Sequence, residues 1–108
     1  MANLLVPSLL LGAALFVLGL IGFVTRRNLI IIFLCTELMF QGIIVNLVAL
    51  GRFPLSTHAA PNLDGQAFAL FLLAVAASEA ALALALVVLL FRHRGTLDAN
   101  AWTLLKDE

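Results

Sequence analysis

Three long stretches of this chain are almost entirely apolar, and short polar segments separate them. The apolar stretches cover about residues 4–24, 29–51 and 67–91. A helix needs about 20 apolar residues to cross the hydrocarbon core of a membrane, and each stretch reaches that length. The pattern predicts an all-α integral membrane protein with three transmembrane helices, built as a single membrane domain over residues 1–108.

The polar segments predict how these helices are connected. The loop 25–28 is so short that the first two helices are expected to be antiparallel neighbours. The loop 52–66 is longer and contains turn-forming residues, among them Pro54 and Pro61. A polar tail, 92–108, follows the third stretch.

Arginine residues predict the orientation of the chain in the membrane. Arg26 and Arg27 lie in the first loop, Arg92 and Arg94 open the tail, and the second loop contains only Arg52. Because cytoplasmic loops carry an excess of Lys and Arg, we expect the first loop and the C-terminus in the cytoplasm. The N-terminus and the second loop are then outside. A further role for Arg26 and Arg94 is contact with a neighbouring subunit at the cytoplasmic surface.

The composition excludes several classes of protein. Of the 108 residues, 64% are hydrophobic and 11% are charged, whereas soluble domains carry about 25% charged residues. The formal net charge is zero, which offers no electrostatic basis for binding nucleic acid. Cys35 is the single cysteine and has no metal-ligand spacing around it. The lipid bilayer is therefore the expected surroundings, and no metal site is predicted.

Two carboxyl groups interrupt the apolar stretches, Glu37 in the second and Glu79 in the third. A charged carboxyl at the membrane centre costs about 2.5–3.5 kcal/mol on insertion scales, and no basic residue within the stretches could pair with either. Removal from water favours the neutral form of a carboxyl, so such a group can take up and release a proton. The pair predicts a proton relay of buried glutamates. The alternative is a permanently neutral carboxyl in an interhelical hydrogen bond.

The helical rise of 1.5 Å per residue predicts the depth of each glutamate. Glu37 is expected roughly 12 Å and Glu79 roughly 18 Å below the cytoplasmic edge, an offset of about 6 Å. Proton passage between them would then need water or a protonatable neighbour. Polar side chains that could support the pair are Thr36, Gln41 and Ser78, although packing is the commoner role of such residues. No nucleophile–base pair, phosphate loop or cofactor ligand set occurs, so no catalytic residue is predicted.

Small residues recur on one face of the first and third stretches. They are Gly12, Gly19 and Gly22 in the first, and Ala77, Ala81 and Ala85 in the third. Helices in lipid associate through close packing of small residues, so both faces are expected to contact protein. Three helices enclose little interior, and this predicts a larger membrane assembly.

Five short motifs occur in order along nearly the whole chain. They are RRNL at 26–29, TELM at 36–39, DGQA at 64–67, AASEAALALAL at 76–86 and FRHR at 91–94. This ordered set resembles the K-type (NuoK) subunit family of proton-pumping NADH:quinone oxidoreductase, respiratory complex I.

The resemblance implies a role in the membrane arm of such a complex, in the cell inner membrane. The family's two intramembrane glutamates, which link quinone reduction to proton translocation, map onto Glu37 and Glu79. Its arginine pair maps onto Arg26 and Arg27. The resemblance also implies that the chain works as a subunit of a translocase, beside other membrane-arm subunits. The FMN, the iron–sulfur clusters and the quinone site are then held by other subunits. A departure is Gln41, where the family commonly has asparagine.

Other functions remain open at this point. A small subunit of a multisubunit cation/proton antiporter resembles the same family. A small multidrug transporter has four spans and a glutamate in its first span, whereas the first span here has none. A purely structural membrane adaptor predicts that both carboxyl groups tolerate removal.

Overall fold

Three α-helices form the fold in a computed structural model that describes residues 4–56, 58–94 and 98–99. They are α1, Leu5–Thr25; α2, Leu29–Arg52; and α3, Asp64–Arg94. Each is long and apolar enough to cross a membrane, so the predicted all-α fold with three spans is confirmed. Helix α3 extends beyond the predicted stretch 67–91 at both ends. Most of the predicted tail lies outside the described residues.

The helices lie in a row with α2 in the middle. Helix α1 packs along α2, and α2 packs along α3, whereas direct contact between α1 and α3 is minor. Within the described ranges the buried hydrophobic residues are Ile44, Ala49, Ala69 and Ala76. A row of three helices has no enclosed interior, so most apolar side chains face lipid or another protein.

Glycine residues bring α1 and α2 into backbone contact. A Cβ atom added to Gly42 would lie 2.5 Å from the Gly12 carbonyl oxygen and 2.9 Å from the Phe16 nitrogen. One added to Gly19 would lie 2.6 Å from the Cys35 carbonyl oxygen. Any larger residue at these positions would force the helices apart. The predicted glycine face of the first stretch therefore packs within the chain, against α2.

The predicted alanine face of α3 is not the face that is buried within the chain. Ala77, Ala81 and Ala85 are exposed, while the buried residues of α3 are Ala69 and Ala76. Given 3.6 residues per turn, the two sets lie on different sides of the helix. The exposed set lies away from the buried side of α3, so its predicted close packing against protein would involve another subunit.

Asn28 caps the N-terminus of α2. Its side-chain Oδ1 accepts hydrogen bonds from the backbone nitrogens of Ile30, at 2.9 Å, and Ile31, at 3.4 Å. The first backbone N–H groups of a helix have no partner within the helix, and an asparagine in this position satisfies them. The cap defines where the short first loop ends and α2 begins.

Replacing Asn28 by alanine is expected to lower stability by about 1 kcal/mol, because two N–H groups lose their acceptor. The measurement is the fraction of chain that stays folded in its native membrane assembly after stepwise heating in detergent. Asn28→Asp is the matched control, since a carboxylate keeps the acceptor and should retain most of the stability. Equal loss in both variants would contradict the capping role.

Candidate functional site

Glu37 lies on the side of α2 that faces α3. That side is identified by Gly51, where an added Cβ atom would lie 3.3 Å from the Gly65 Cα atom of α3. Glu37 precedes Gly51 by fourteen residues, which is close to four helical turns and returns it to within about 40° of the same direction. Glu79 follows Gly65 by the same number of residues. Each glutamate therefore lies close to the α2–α3 contact.

The same register places the two glutamates at nearly equal depth. Counting equal numbers of residues from the Gly51–Gly65 contact along two antiparallel helices brings Glu37 and Glu79 to one level, within about one helical turn. At the other end of the contact, Ile30 lines the same groove as Val87, which agrees with this register. The predicted offset of about 6 Å is comparable to one helical turn, so it stays a prediction.

The two carboxyl groups differ in burial. Glu37 is half-buried, and its Oε1 atom is shielded from solvent and has no hydrogen-bond partner among the described residues. Glu79 is exposed on the surface of the three-helix row. Burial of Glu79 is therefore not provided by this chain alone, and it stays a prediction for the membrane assembly. The physical reason is that α3 has one helical neighbour, which covers one side of it.

The predicted supporting side chains do not donate to the glutamates. The Thr36 hydroxyl donates to the Ile32 carbonyl at 3.1 Å, and the Ser78 hydroxyl donates to the Ala74 carbonyl at 2.9 Å. Gln41 is exposed. The two hydroxyl groups retain lone pairs that can accept a hydrogen bond, but their hydrogens are used within their own helices.

Asn46 is a polar residue of α2 that contacts α1. Its Oδ1 atom is buried, has no hydrogen-bond partner within the described part of the chain, and lies where a Cβ on Gly12 would be. Asn46 is nine residues after Glu37, so it lies on the opposite side of α2, against α1. The signal that could have revealed this contact is the glycine at position 12, which leaves room for an amide.

The arginine residues lie where the first loop and the end of α3 come together. Arg26, Arg27 and Arg92 are exposed, while the Arg94 side chain lies outside the described part. The Ala99 nitrogen donates to the Arg27 carbonyl at 3.0 Å, and Asn28 pairs with Asp98 in an antiparallel bridge. The first loop and the tail therefore share one side of the molecule.

The carboxyl groups of Glu37 and Glu79 can act as proton donors and acceptors. Glu37 has an oxygen atom with no partner, and Glu79 is presented at the same level on the outer surface. Either group could bind or release a proton, and a donor from another subunit or from water could reach Glu79. The described residues contain no group of three or more His, Cys, Asp or Glu side chains that could hold a metal ion.

The fold and the site define a class: small multi-pass membrane proteins with ionisable groups inside their spans. Residues 7–107 match the family described as NADH-ubiquinone/plastoquinone oxidoreductase chain 4L. The chain belongs to this family.

Similar proteins come from both bacteria and chloroplasts. NADH-quinone oxidoreductase subunit K of Akkermansia muciniphila is 43% identical over 92% of this chain and 93% of its own length. The subunit K of Bacillus cereus is 45% identical over 91% of this chain and 90% of its own length. The chloroplastic NAD(P)H-quinone oxidoreductase subunit 4L of Staurastrum punctulatum is 43% identical over 92% and 95%, respectively.

Proposed function

We propose that this chain is a membrane-arm subunit of a proton-translocating NADH:quinone oxidoreductase. In that assembly Glu37 and Glu79 carry protons, and their transfer is coupled to quinone reduction in other subunits. Family membership supports the assembly, since the relatives are named as subunits of quinone oxidoreductases. The two carboxyl groups at one depth support the proton transfer.

The observation that carries this proposal is the unpartnered Oε1 atom of Glu37. A buried polar atom without a hydrogen bond is costly, and a charged one within a membrane is costlier still. A carboxyl placed there purely for structure would be expected to have its partner within the chain. A carboxyl group that binds and releases a proton instead needs an oxygen atom that can exchange hydrogen-bond partners, such as water or an incoming donor.

The exposure of Glu79 supports partner subunits on the outer side of α3. A carboxyl facing lipid near the middle of a membrane would cost about 2.5–3.5 kcal/mol when charged. Contact with another membrane subunit removes this cost and gives the proton a route onward. The exposed alanine residues 77, 81 and 85 lie on another side of the same helix and would allow close packing of a further subunit on that side.

The remaining assignments follow from membership in such an assembly. The chain acts as a single membrane domain in the cytoplasmic membrane, and FMN, iron–sulfur clusters and the quinone site belong to other subunits. The first loop and the tail face the cytoplasm, since Arg26, Arg27, Arg92 and Arg94 cluster there. In that position these arginine residues also contact headgroups or neighbouring subunits.

Purification of the tagged full-length chain from its native membrane tests the assembly. We expect co-purification of chains that bind FMN and iron–sulfur clusters, together with NADH oxidation in the same fraction. Identification of the chains by mass spectrometry provides the readout. Recovery with cation/proton antiporter subunits, and without any redox chain, would contradict the proposal and favour the antiporter alternative. A tagged unrelated three-span protein serves as the control for adventitious capture.

A further inference from the structure

An apolar groove lies between the start of α2 and the end of α3. Ile30 forms one wall, and Val87, Val88, Phe91 and Arg92 form the other. The groove has a volume of about 250 Å³, and its lining is apolar almost throughout. Arg92 therefore contributes the aliphatic part of its side chain to the wall. Its guanidinium can then reach the rim, as long basic side chains do at membrane surfaces.

The groove has an apolar lining that suits a hydrocarbon chain. It is open on one side, where Val88 is 54% and Phe91 is 48% exposed. A hydrocarbon chain of a lipid can therefore enter the groove from that side.

The charges around the groove point to the headgroup. Arg92 lies at its end, and the exposed residues Arg26 and Arg27 lie in the loop that leads into α2. The described acidic residue at this end is Asp98, whose backbone pairs with Asn28. The balance of these charges is positive. Basic pockets between membrane helices on the cytoplasmic side are typical binding sites for anionic headgroups.

We propose that this groove binds an anionic phospholipid from the leaflet that adjoins the first loop. An acyl chain lies against Ile30, Val87 and Val88, and the phosphate is bound by Arg92. This site is separate from the glutamates and goes beyond the proposed proton transfer. The lipid would fill the gap between α2 and α3 at the end where no glycine contact closes it.

Photo-crosslinking in the assembled complex tests the lipid site. The purified complex is reconstituted in nanodiscs that contain phosphatidylglycerol with a photoactivatable acyl chain, and labelled peptides are mapped by mass spectrometry. We expect labelling at Ile30 and Val88. Arg92→Gln should reduce it about five-fold, the effect of one basic residue near an anionic surface. Arg92→Lys should retain most of it, because the charge remains.

Three comparisons separate this site from general lipid contact. Arg52→Gln removes one charge at the opposite end of α2 and should leave labelling of the groove unchanged. Val88→Trp fills the groove and should reduce labelling although Arg92 is intact. A phosphatidylcholine probe should label the groove more weakly than phosphatidylglycerol. Equal labelling by both probes, or no effect of Arg92→Gln, would overturn the proposal. So would a crosslink from a photoreactive residue at position 88 to another protein chain.

Discussion

Glu37→Gln is expected to reduce proton translocation by the assembled complex at least about ten-fold, since removal of a proton-transferring group commonly costs 10²-fold or more. Glutamine has nearly the same shape as glutamate but cannot release or bind a proton at neutral pH. The amide can still donate a hydrogen bond, so a permanently neutral, structural Glu37 would be replaced without loss. Proton uptake by reconstituted vesicles, measured during NADH oxidation, is the readout.

Two control measurements distinguish a loss of proton transfer from a loss of assembly. The amount of intact complex and its NADH oxidation with a soluble artificial acceptor should match those of the unmodified protein. Both depend on assembly and on the redox subunits, but not on the membrane glutamates. Normal proton translocation by a fully assembled Glu37→Gln complex would refute the relay and leave the hydrogen-bonding alternative.

Glu79→Gln extends the same test to the exposed carboxyl. Glu79→Gln is also expected to reduce proton translocation, because the two glutamates lie at similar depth and are proposed to act in one proton path. Ser78→Ala is the matched control, since Ser78 is also exposed and its hydroxyl donates to the Ala74 carbonyl of its own helix. It should leave translocation unchanged.

Gly42→Ala is expected to impair assembly of the chain severely, although it adds a single methyl group. That methyl would lie 2.5 Å from the Gly12 carbonyl oxygen and 2.9 Å from the Phe16 nitrogen. Both neighbours are backbone atoms, so the clash is relieved only by moving α1 away from α2. Overpacking of this kind typically costs about 1–3 kcal/mol. The yield of the chain in the purified complex measures the effect.

Gly22→Ala provides the comparison within the same helix pair. A methyl group there would meet the Cys35 sulfur atom, and the next nearest atom, the Cys35 Cβ, is at 3.6 Å. A thiol can rotate away, whereas a backbone carbonyl cannot. We therefore expect a near-normal yield from Gly22→Ala. Equal yields from the two variants would show that the close approach at Gly42 does not control packing.

The elements themselves were predictable because hydropathy is a local property of the chain. Three apolar stretches of sufficient length predicted three helices, and the short loop 25–28 predicted that α1 and α2 are neighbours. The ordered motifs were specific enough to indicate the family that residues 7–107 match. The presence of Glu37 and Glu79 within apolar stretches was likewise evident from the sequence alone.

The arrangement of the glutamates depended on contacts that no local pattern contains. Counting from helix ends predicted an offset of about 6 Å, and the Gly51–Gly65 contact, which sets the register, brings Glu37 and Glu79 to within about one helical turn of each other. Composition likewise could not tell which face of α3 is covered. The glycine residues of α1 contact α2, whereas the alanine face of α3 is exposed.

The sequence by itself determined a three-span membrane protein with two carboxyl groups in its spans. The reason is that the cost of placing polar groups in lipid acts on each segment separately. The tertiary structure alone decided that the helices form a row, that Glu37 keeps an oxygen unpartnered among the described residues, and that Glu79 is exposed within this chain. These features depend on which small residues of different helices meet, because backbones approach most closely there.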